Sequence, residues 1–151
     1  MNKITPFLWF NDNAEEVANF YLSIFPDGRK LKELRATEAG PGPVGSIITI
    51  DLELNGQQMV FLNGGPAFKL NEAFSFSVYC ETQEEIDDYW AKFTDGGKEM
   101  ACGWLTDKFG VCWQIVPLGL AEWLRHPEAM RAMMKMTKFD VATLKRAAGE
   151  V

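Results

Sequence analysis

Residues 74–97 read FSFSVYCETQEEIDDYWAKFTDGG, and this stretch decides the fold of the chain. Its alternating aromatic and small residues predict a strand from Phe74 to Glu81. The capping box Thr82-Gln-Glu-Glu85 predicts a helix that runs to Phe93. Asp95-Gly96-Gly97 predicts the end of that helix. The stretch is therefore a strand, a capped helix and a stop signal.

The same order occurs earlier, in residues 6–28, which read PFLWFNDNAEEVANFYLSIFPDG. Here Ile4 to Phe10 predicts a buried strand, and Asn13, with Glu16 three residues on, predicts the N-cap of a helix that ends at Phe25. A constant shift of 68 positions pairs Leu8 with Phe76, Tyr21 with Tyr89, Phe25 with Phe93, Asp27 with Asp95 and Gly28 with Gly96. A period this long is too large for a solenoid and indicates tandem duplication of a half-domain.

Three strands are predicted to follow each helix along the chain. In the first unit they cover residues 29–37, 46–54 and 58–63, and Asn55-Gly56 is a strong hairpin signal. In the second unit they cover residues 99–102, 103–108 and 111–116. The predicted fold class is therefore α+β. It consists of tandem βαβββ units, about 3–65 and 73–117, in one domain of residues 1–117.

Residues 118–151, called the tail below, are predicted to be helical. They form short helical segments that begin near Leu120, Pro127 and Asp140, and they are rich in methionine. Residues 125–151 hold 6 basic and 3 acidic side chains, whereas residues 1–124 hold 9 basic and 18 acidic ones. A basic tail is expected to dock on the acidic body, in its own chain or in a partner chain. Its methionines either fill core gaps or form a lid over a cleft.

Composition excludes several classes of protein. The chain has 151 residues, 47% hydrophobic residues and a net charge of −6, which argues against disorder and against general nucleic-acid binding. No apolar run is long enough to span a membrane, and MNKITPFLWF lacks the layout of a signal peptide. Cys80, Cys102 and Cys112 form no CxxC motif, so reduced thiols in a cytoplasmic protein are expected.

The single histidine limits the possible chemistry. Only His126 could serve as the base of a Ser-His-Asp triad, and zinc sites with several histidines are excluded. His126 directly precedes Pro127, a residue that favours the first position of a helix. A capping or surface role is therefore predicted for His126, and no catalytic residue is assigned.

Residues 102–117, CGWLTDKFGVCWQIVP, carry a resemblance to a known family, together with PFLWF at 6–10 and NGGP at 63–66. The chain resembles the PhnB-like branch of the vicinal oxygen chelate (glyoxalase/bleomycin-resistance/dioxygenase) superfamily, whose members often carry the label demethylubiquinone methyltransferase-like. The resemblance implies that the βαβββ units form a curled mixed sheet around a concave pocket. It also implies a homodimer.

The resemblance implies a divalent metal in the catalytic members, held at inward strand positions that correspond here to Thr5, Phe61, Ser75 and Gln114. Of these, Gln114 could be a metal ligand, whereas Thr5 and Ser75 offer only neutral hydroxyls and Phe61 offers no donor. A slip of one residue in the alignment does not restore the set. We therefore expect no metal and no other cofactor.

Strand parity predicts the side chains that face the pocket. The candidate ligand-binding residues are Thr5, Phe7, Trp9, Phe61, Asn63, Ser75, Ser77, Gln114 and, at the rim, Trp104. This set combines aromatic rings with a few neutral hydrogen-bonding groups, as in pockets for small molecules. The alternative is that the aromatic side chains only fill the core.

The predicted function is metal-independent binding of a small aromatic or amphipathic molecule. One alternative is an enzyme of the same superfamily that acts on a small oxygenated substrate oriented by Gln114 and Ser75. Another is a dimeric structural or regulatory partner protein without a ligand. Methyl transfer is not expected, because the chain lacks a GxGxxG turn between a strand and a helix. Its glycine-rich segment, residues 40–45, contains prolines and leads into a strand.

Overall fold

The computed structural model describes residues 2–150 and divides the chain into two compact units, Met1–Leu70 and Asn71–Val151. Unit 1 contains β1 (Phe7–Phe10), α1 (Ala14–Ile24), β2 (Arg29–Arg35), β3 (Ile47–Leu54) and β4 (Gln57–Asn63). Unit 2 contains β5 (Phe76–Cys80), α2 (Gln83–Thr94), β6 (Lys98–Glu99), β7 (Trp104–Thr106), β8 (Cys112–Pro117), α3 (Leu120–Trp123), α4 (Pro127–Met133) and α5 (Val141–Ala147). The predicted order of elements is confirmed.

Each unit has its own four-stranded mixed sheet with the same topology. The strand orders are β1-β4-β3-β2 and β5-β8-β7-β6, so the first strand of each unit lies beside its last. These first and last strands run parallel, and the remaining neighbours are antiparallel. The predicted α+β fold of tandem βαβββ units is confirmed.

One helix covers one face of each sheet. Helix α1 buries Val17, Tyr21 and Ile24 at three- and four-residue spacing, and it packs on β3 and β4. Helix α2 buries Ile86, Trp90 and Phe93 in the same way. The Phe93 ring stacks on Trp113 of β8 with 4.5 Å between ring centroids. The core of each unit therefore lies between its helix and its sheet.

The two helices are capped by different means. Thr82 Oγ1 accepts a hydrogen bond from the Glu85 amide at 3.1 Å, as the capping-box pattern predicts. Asn13 is the N-cap residue of α1, as predicted, but its side chain makes no capping hydrogen bond. The Asn63 side chain instead accepts a hydrogen bond from the Ala14 amide at 2.9 Å. The first helix is thus capped from β4.

The tail packs within unit 2. Helix α5 contacts α3 and α4, and the Trp123 indole donates to Glu150 at 3.0 Å. Phe139 and Leu144 are both buried on either side of the cap residue Asp140, whose carboxylate accepts from the Thr143 amide at 2.8 Å. In the part of the chain that the structure describes, no helix combines the length and the apolar content needed to cross a membrane.

Candidate functional site

In unit 1 the predicted pocket face is wrong at Phe61. The parallel register places Phe61 opposite Leu8, not opposite Phe7 or Trp9. Phe61 is fully buried, and its ring lies 5.0 Å from Phe10 and 5.7 Å from Tyr21 of α1. Because neighbouring residues on paired strands share a face, Phe61 belongs to the core under α1. It cannot line a pocket on the opposite face.

Asn63 also lies on the side of α1, which corrects its predicted place beside Trp9. Its Oδ1 caps Ala14, and its Nδ2 donates to the carbonyl of Ile47 at 3.1 Å. Both ends of the amide are therefore used to join β4 to α1 and to β3. Asn63 borders a surface cavity of about 670 Å³ together with residues such as Asp12, Arg35 and Ser46.

The remaining candidates of unit 1 are engaged locally or exposed. Thr5 donates from Oγ1 to the carbonyl of Asn2 at 3.2 Å. Trp9 donates from its indole to the carbonyl of Gly65 at 2.9 Å, and its ring meets Phe68 edge-on. A Cβ at Gly64 would lie 2.4 Å from Trp9 Cε2, so the ring rests directly on that backbone. Phe7 is exposed.

In unit 2 the strand register brings three of the candidate residues together. Gln114 of β8 lies opposite Ser77 on one side and opposite Trp104 on the other, so these three side chains share one face of the sheet. The other face holds Val78, Trp113 and Ile115 and is buried. The structure therefore brings Ser77, Trp104 and Gln114 together.

These residues line a cavity of about 340 Å³ between the sheet and the tail, called the unit 2 cavity below. Its wall consists of Ser77, Tyr79, Cys102, Trp104, Gln114, Val116, Pro117, Leu118, Leu120, Ala121, Leu124, Met133 and Phe139. None of these lining residues carries an acidic or a basic side chain. The site is a mostly apolar, uncharged cavity.

Sequence reasoning missed the tail residues of this wall, among them Leu120, Leu124, Met133 and Phe139. The signal that could have found them was the high methionine content of the tail, for which a lid over a cleft was one of the two predictions. Met133 does line the cavity, whereas Met130 and Met134 are exposed.

A hydrogen bond fixes the polar part of the site. Gln114 Nε2 donates to Ser75 Oγ at 2.9 Å, so Ser75 orients the amide although Ser75 itself precedes β5. Cys102 Sγ donates to the carbonyl of Met133 at 3.6 Å. The polar groups of the cavity are thus an amide, hydroxyls, a thiol and one indole.

The tail is attached to the sheet through residues 102 and 103. The amides of Cys102 and Gly103 donate to the carbonyls of Met136 and Thr137 at 2.9 Å and 2.8 Å. Gln83 of α2 adds two more bonds, from Nε2 to the Phe139 carbonyl at 3.0 Å and from the Val141 amide to Oε1 at 2.8 Å. Gly103 has φ +79°, and a Cβ there would lie 2.2 Å from Phe139 Cε2. Only glycine allows this approach.

The other two cysteines lie in the core. Burial raises the pKa of the Cys80 thiol to about 12, and the carboxylate of Glu85 adds to that rise. Burial, followed by the charge of Glu72, also raises the pKa of Cys112. Both thiols are therefore protonated and poor nucleophiles at neutral pH. Cys102, which is half-buried, borders the cavity.

The aspartate of the CGW…D..G..WQ pattern has a structural role. Asp107 is buried, and its Oδ1 accepts hydrogen bonds from the amides of Phe109 and Val111 at 2.9 Å and 3.1 Å. Its Oδ2 accepts from the Trp113 indole at 3.0 Å. One carboxylate thus organises the turn between β7 and β8, and this turn sets the register that places Trp104 opposite Gln114.

The metal positions implied by the resemblance do not fit a divalent ion. Thr5 and the Ser75–Gln114 pair offer only neutral donors, and Phe61 is buried against α1. Val60 and Leu62, which take the opposite face of β4, are no better ligands. Within residues 2–150, no three His, Cys, Asp or Glu side chains are grouped so that they could hold a metal ion. His126 is exposed at the N-cap of α4 without a capping side-chain bond.

Paired βαβββ units with parallel first and last strands define the fold of the vicinal oxygen chelate superfamily. Within it, the chain belongs to the family described as 3-demethylubiquinone-9 3-methyltransferase, whose model matches residues 2–116. A PhnB protein from Bacillus cereus is 37% identical to this chain, with a TM-score of 0.70, over 77% of this chain and 99% of that one. The tail lies beyond the family match.

Two more distant structures share the fold alone. A protein from Pseudomonas aeruginosa is 21% identical, with a TM-score of 0.63, over 78% of this chain and 98% of that one. The fosfomycin resistance protein FosX from Listeria monocytogenes is 13% identical, with a TM-score of 0.57, over 81% of this chain and 97% of that one. No curated protein sequence matches the chain.

The family description does not establish methyl transfer for this chain. Neither turn from a strand into a sheet-covering helix contains a glycine, since β1 and α1 are joined by Asn11-Asp12-Asn13 and β5 and α2 by Glu81-Thr82. Residues 40–45 connect two strands, as their prolines predicted. The described residues therefore give no support for methyltransferase activity.

Proposed function

We propose that this protein binds a small aromatic or amphipathic molecule in the unit 2 cavity and does so without a metal. The observation that carries the proposal is an uncharged cavity of about 340 Å³, lined by residues of the sheet and of the tail. Pockets for small molecules are mostly apolar clefts with a few fixed polar groups, and they begin at about this volume.

The chemistry of the wall supports an aromatic or amphipathic ligand. Trp104, Tyr79 and Phe139 offer ring faces and edges, and aliphatic side chains of the tail surround them. Gln114 is held in place by Ser75, so a hydrogen bond to the ligand requires little ordering of that side chain. The neutral donors of the wall support independence from a metal.

The test blocks the cavity with a bulky side chain. Ala121 is exposed and lines the cavity, whereas Ala91 is exposed on α2 and does not line it, so Ala121→Trp and Ala91→Trp form a matched pair. Thermal-shift screening of the wild type against uncharged aromatic compounds supplies a ligand. At 100 times its dissociation constant, that ligand should add roughly 2.7 kcal/mol to the apparent free energy of unfolding. The gain should persist in Ala91→Trp and vanish in Ala121→Trp.

Two further readouts locate the ligand and check for metal. A ligand in the cavity should slow alkylation of Cys102 by iodoacetamide, while the buried Cys80 and Cys112 stay unlabelled throughout. Equal stabilisation of both tryptophan variants, or silence across a broad library, would contradict the proposal. Stoichiometric metal in the purified protein would contradict its metal-independent part.

A further inference from the structure

The indole of Trp104 differs from the other indoles of the chain. The sequence has 5 tryptophans. Four of them donate their indole N–H to a protein oxygen: Trp9 to Gly65, Trp90 to Glu99, Trp113 to Asp107 and Trp123 to Glu150. Among residues 2–150, Trp104 has no such acceptor. A partly buried indole usually finds a partner for its N–H, so this donor is available to something outside the protein.

Trp104 lies on the sheet side of the site. It lies opposite Gln114 in the sheet, and both residues line the unit 2 cavity with Ser77. Gln114 uses its Nε2 to bond Ser75, and within the described residues its Oε1 accepts no side-chain or backbone bond. The residues of the wall thus include an indole donor, an amide acceptor and the hydroxyl of Ser77 beside apolar side chains.

The wall also lacks any charge that could compensate an ionic ligand. No Lys, Arg, His, Asp or Glu lies among the lining residues. Moving a carboxylate or an ammonium group from water into such a cavity costs free energy that no counter-charge offsets. The wall therefore discriminates against ions of either sign.

We infer that the ligand is a neutral molecule with an apolar body and a hydrogen-bond acceptor, such as a carbonyl oxygen, that receives the Trp104 indole N–H. This inference rests on the proposed function, because it names the class of molecule that the unit 2 cavity binds. Trp104 is the residue that determines specificity for the acceptor, and the apolar tail residues accommodate the rest of the molecule.

The test uses three naphthalene probes with the same number of non-hydrogen atoms. 2-Acetylnaphthalene is neutral and has an acceptor, 2-isopropylnaphthalene is neutral without one, and 2-naphthoate is charged. In the wild type, the ketone should bind roughly fivefold to tenfold more tightly than the isopropyl compound, as a single neutral hydrogen bond provides. Naphthoate should bind more weakly than either. In Trp104→Phe the advantage of the ketone should disappear, while the affinity for the isopropyl compound stays the same.

The isopropyl compound also reports whether Trp104→Phe is folded, and Trp9→Phe in unit 1 is the control for loss of an indole that already has an acceptor. Equal binding of ketone and isopropyl compound to the wild type would overturn the inference and leave the proposed function standing. Tighter binding of naphthoate, or a ketone advantage that survives in Trp104→Phe, would also overturn it. Failure of both neutral probes to bind would count against the proposed function itself.

Discussion

At the scale of single residues, most of the family pattern in residues 102–117 serves the fold of unit 2. Asp107 closes the turn between β7 and β8 through its bonds to the amides of Phe109 and Val111. Gly103 lets the tail approach the sheet. Trp104 and Gln114 are the two residues of the pattern whose side chains line the cavity and retain unused hydrogen-bonding capacity. A recognisable pattern thus combines turn formation with a candidate site.

The residue scale also shows why the sequence marks the two faces of the sheet in unit 2 and not in unit 1. In residues 75–78, Ser75 and Ser77 alternate with Phe76 and Val78, so the polarity of the sequence itself marks the two faces of β5. Along β1, every residue of Phe7–Phe10 is aromatic or aliphatic. Such a run predicts a strand but does not show which of its residues face which side of the sheet. Only the register with β4 shows that Phe61 faces α1.

Substituting alanine for Gly103 should destabilise unit 2 through two separable effects. The left-handed φ of +79° disfavours any side chain, and the new Cβ would collide with the buried Phe139 ring. Gly110 is a matched control, since its φ is +85° and a Cβ there meets nothing within 4 Å. We expect a loss of about 1 kcal/mol for Gly110→Ala and about 3 kcal/mol for Gly103→Ala in urea unfolding. Equal losses would mean that the packing of the Phe139 ring does not depend on the missing side chain at Gly103.

At the scale of secondary-structure elements, the tail is attached to unit 2 mainly by neutral contacts. Backbone bonds join residues 102 and 103 to residues 136 and 137, and the Gln83 amide holds the chain on both sides of Asp140. Phe139 and Leu144 are buried. Lys138 of the tail forms an ion pair with Asp87 of α2 at 2.7 Å, and both side chains are partly exposed. Exposed pairs contribute about 0–1 kcal/mol, so the opposite charges of tail and body have a minor part.

That ion pair nevertheless predicts a small pH dependence. The hydrogen bond from Lys138, followed by that from Gln83, lowers the pKa of Asp87 below its ordinary value. A group with a lowered pKa in the folded state stabilises it above the unfolded pKa, and this contribution is lost as the pH falls through the folded value. The free energy of unfolding is to be measured at about pH 7 and about pH 3. Its decrease between these two pH values should be smaller in Asp87→Asn than in the wild type.

The matched control for this experiment is Asp88→Asn. Asp88 lies beside Asp87 on α2, and its ion pair, with Lys92 at 2.8 Å, lies within the same helix. Replacing Asp88 should leave unchanged the part of the loss of unfolding free energy in acid that comes from the ion pair between Lys138 and Asp87. An acid loss that is the same in Asp87→Asn as in the wild type would show that the Lys138 contact contributes nothing measurable to tail docking.

At the scale of the whole molecule, duplication made the fold predictable and the tail made the site unpredictable. Five residue pairs at a shift of 68 positions fixed the order of elements in both units. The family match ends at residue 116, yet about half of the cavity wall comes from residues 117–139. No motif in the duplicated units encodes that contribution, because it depends on where the tail docks. The homodimer implied by the resemblance stays a prediction, and the mass in solution will test it.

Removal of residues 127–151 should therefore affect both stability and binding. It deletes the buried Ala129, Phe139, Leu144 and Ala148, and it exposes the apolar surface that they cover. We expect a lower melting temperature and aggregation, measured by thermal denaturation and light scattering. Faster alkylation of Cys102 is also expected, because its thiol loses the contact with Met133.

A milder variant separates loss of the tail from general damage. Leu144→Ala leaves the cavity-lining residues in place but removes a fully buried side chain that fixes α5, and it should cost about 2–5 kcal/mol. If the tail forms a wall of the cavity, bound ligand should still slow alkylation of Cys102 in this variant at temperatures well below its melting point. In the truncated chain, the same ligand should not slow alkylation of Cys102. Unchanged melting, mass and labelling after truncation would show that the tail is dispensable, and the unit 2 cavity would then have no functional wall.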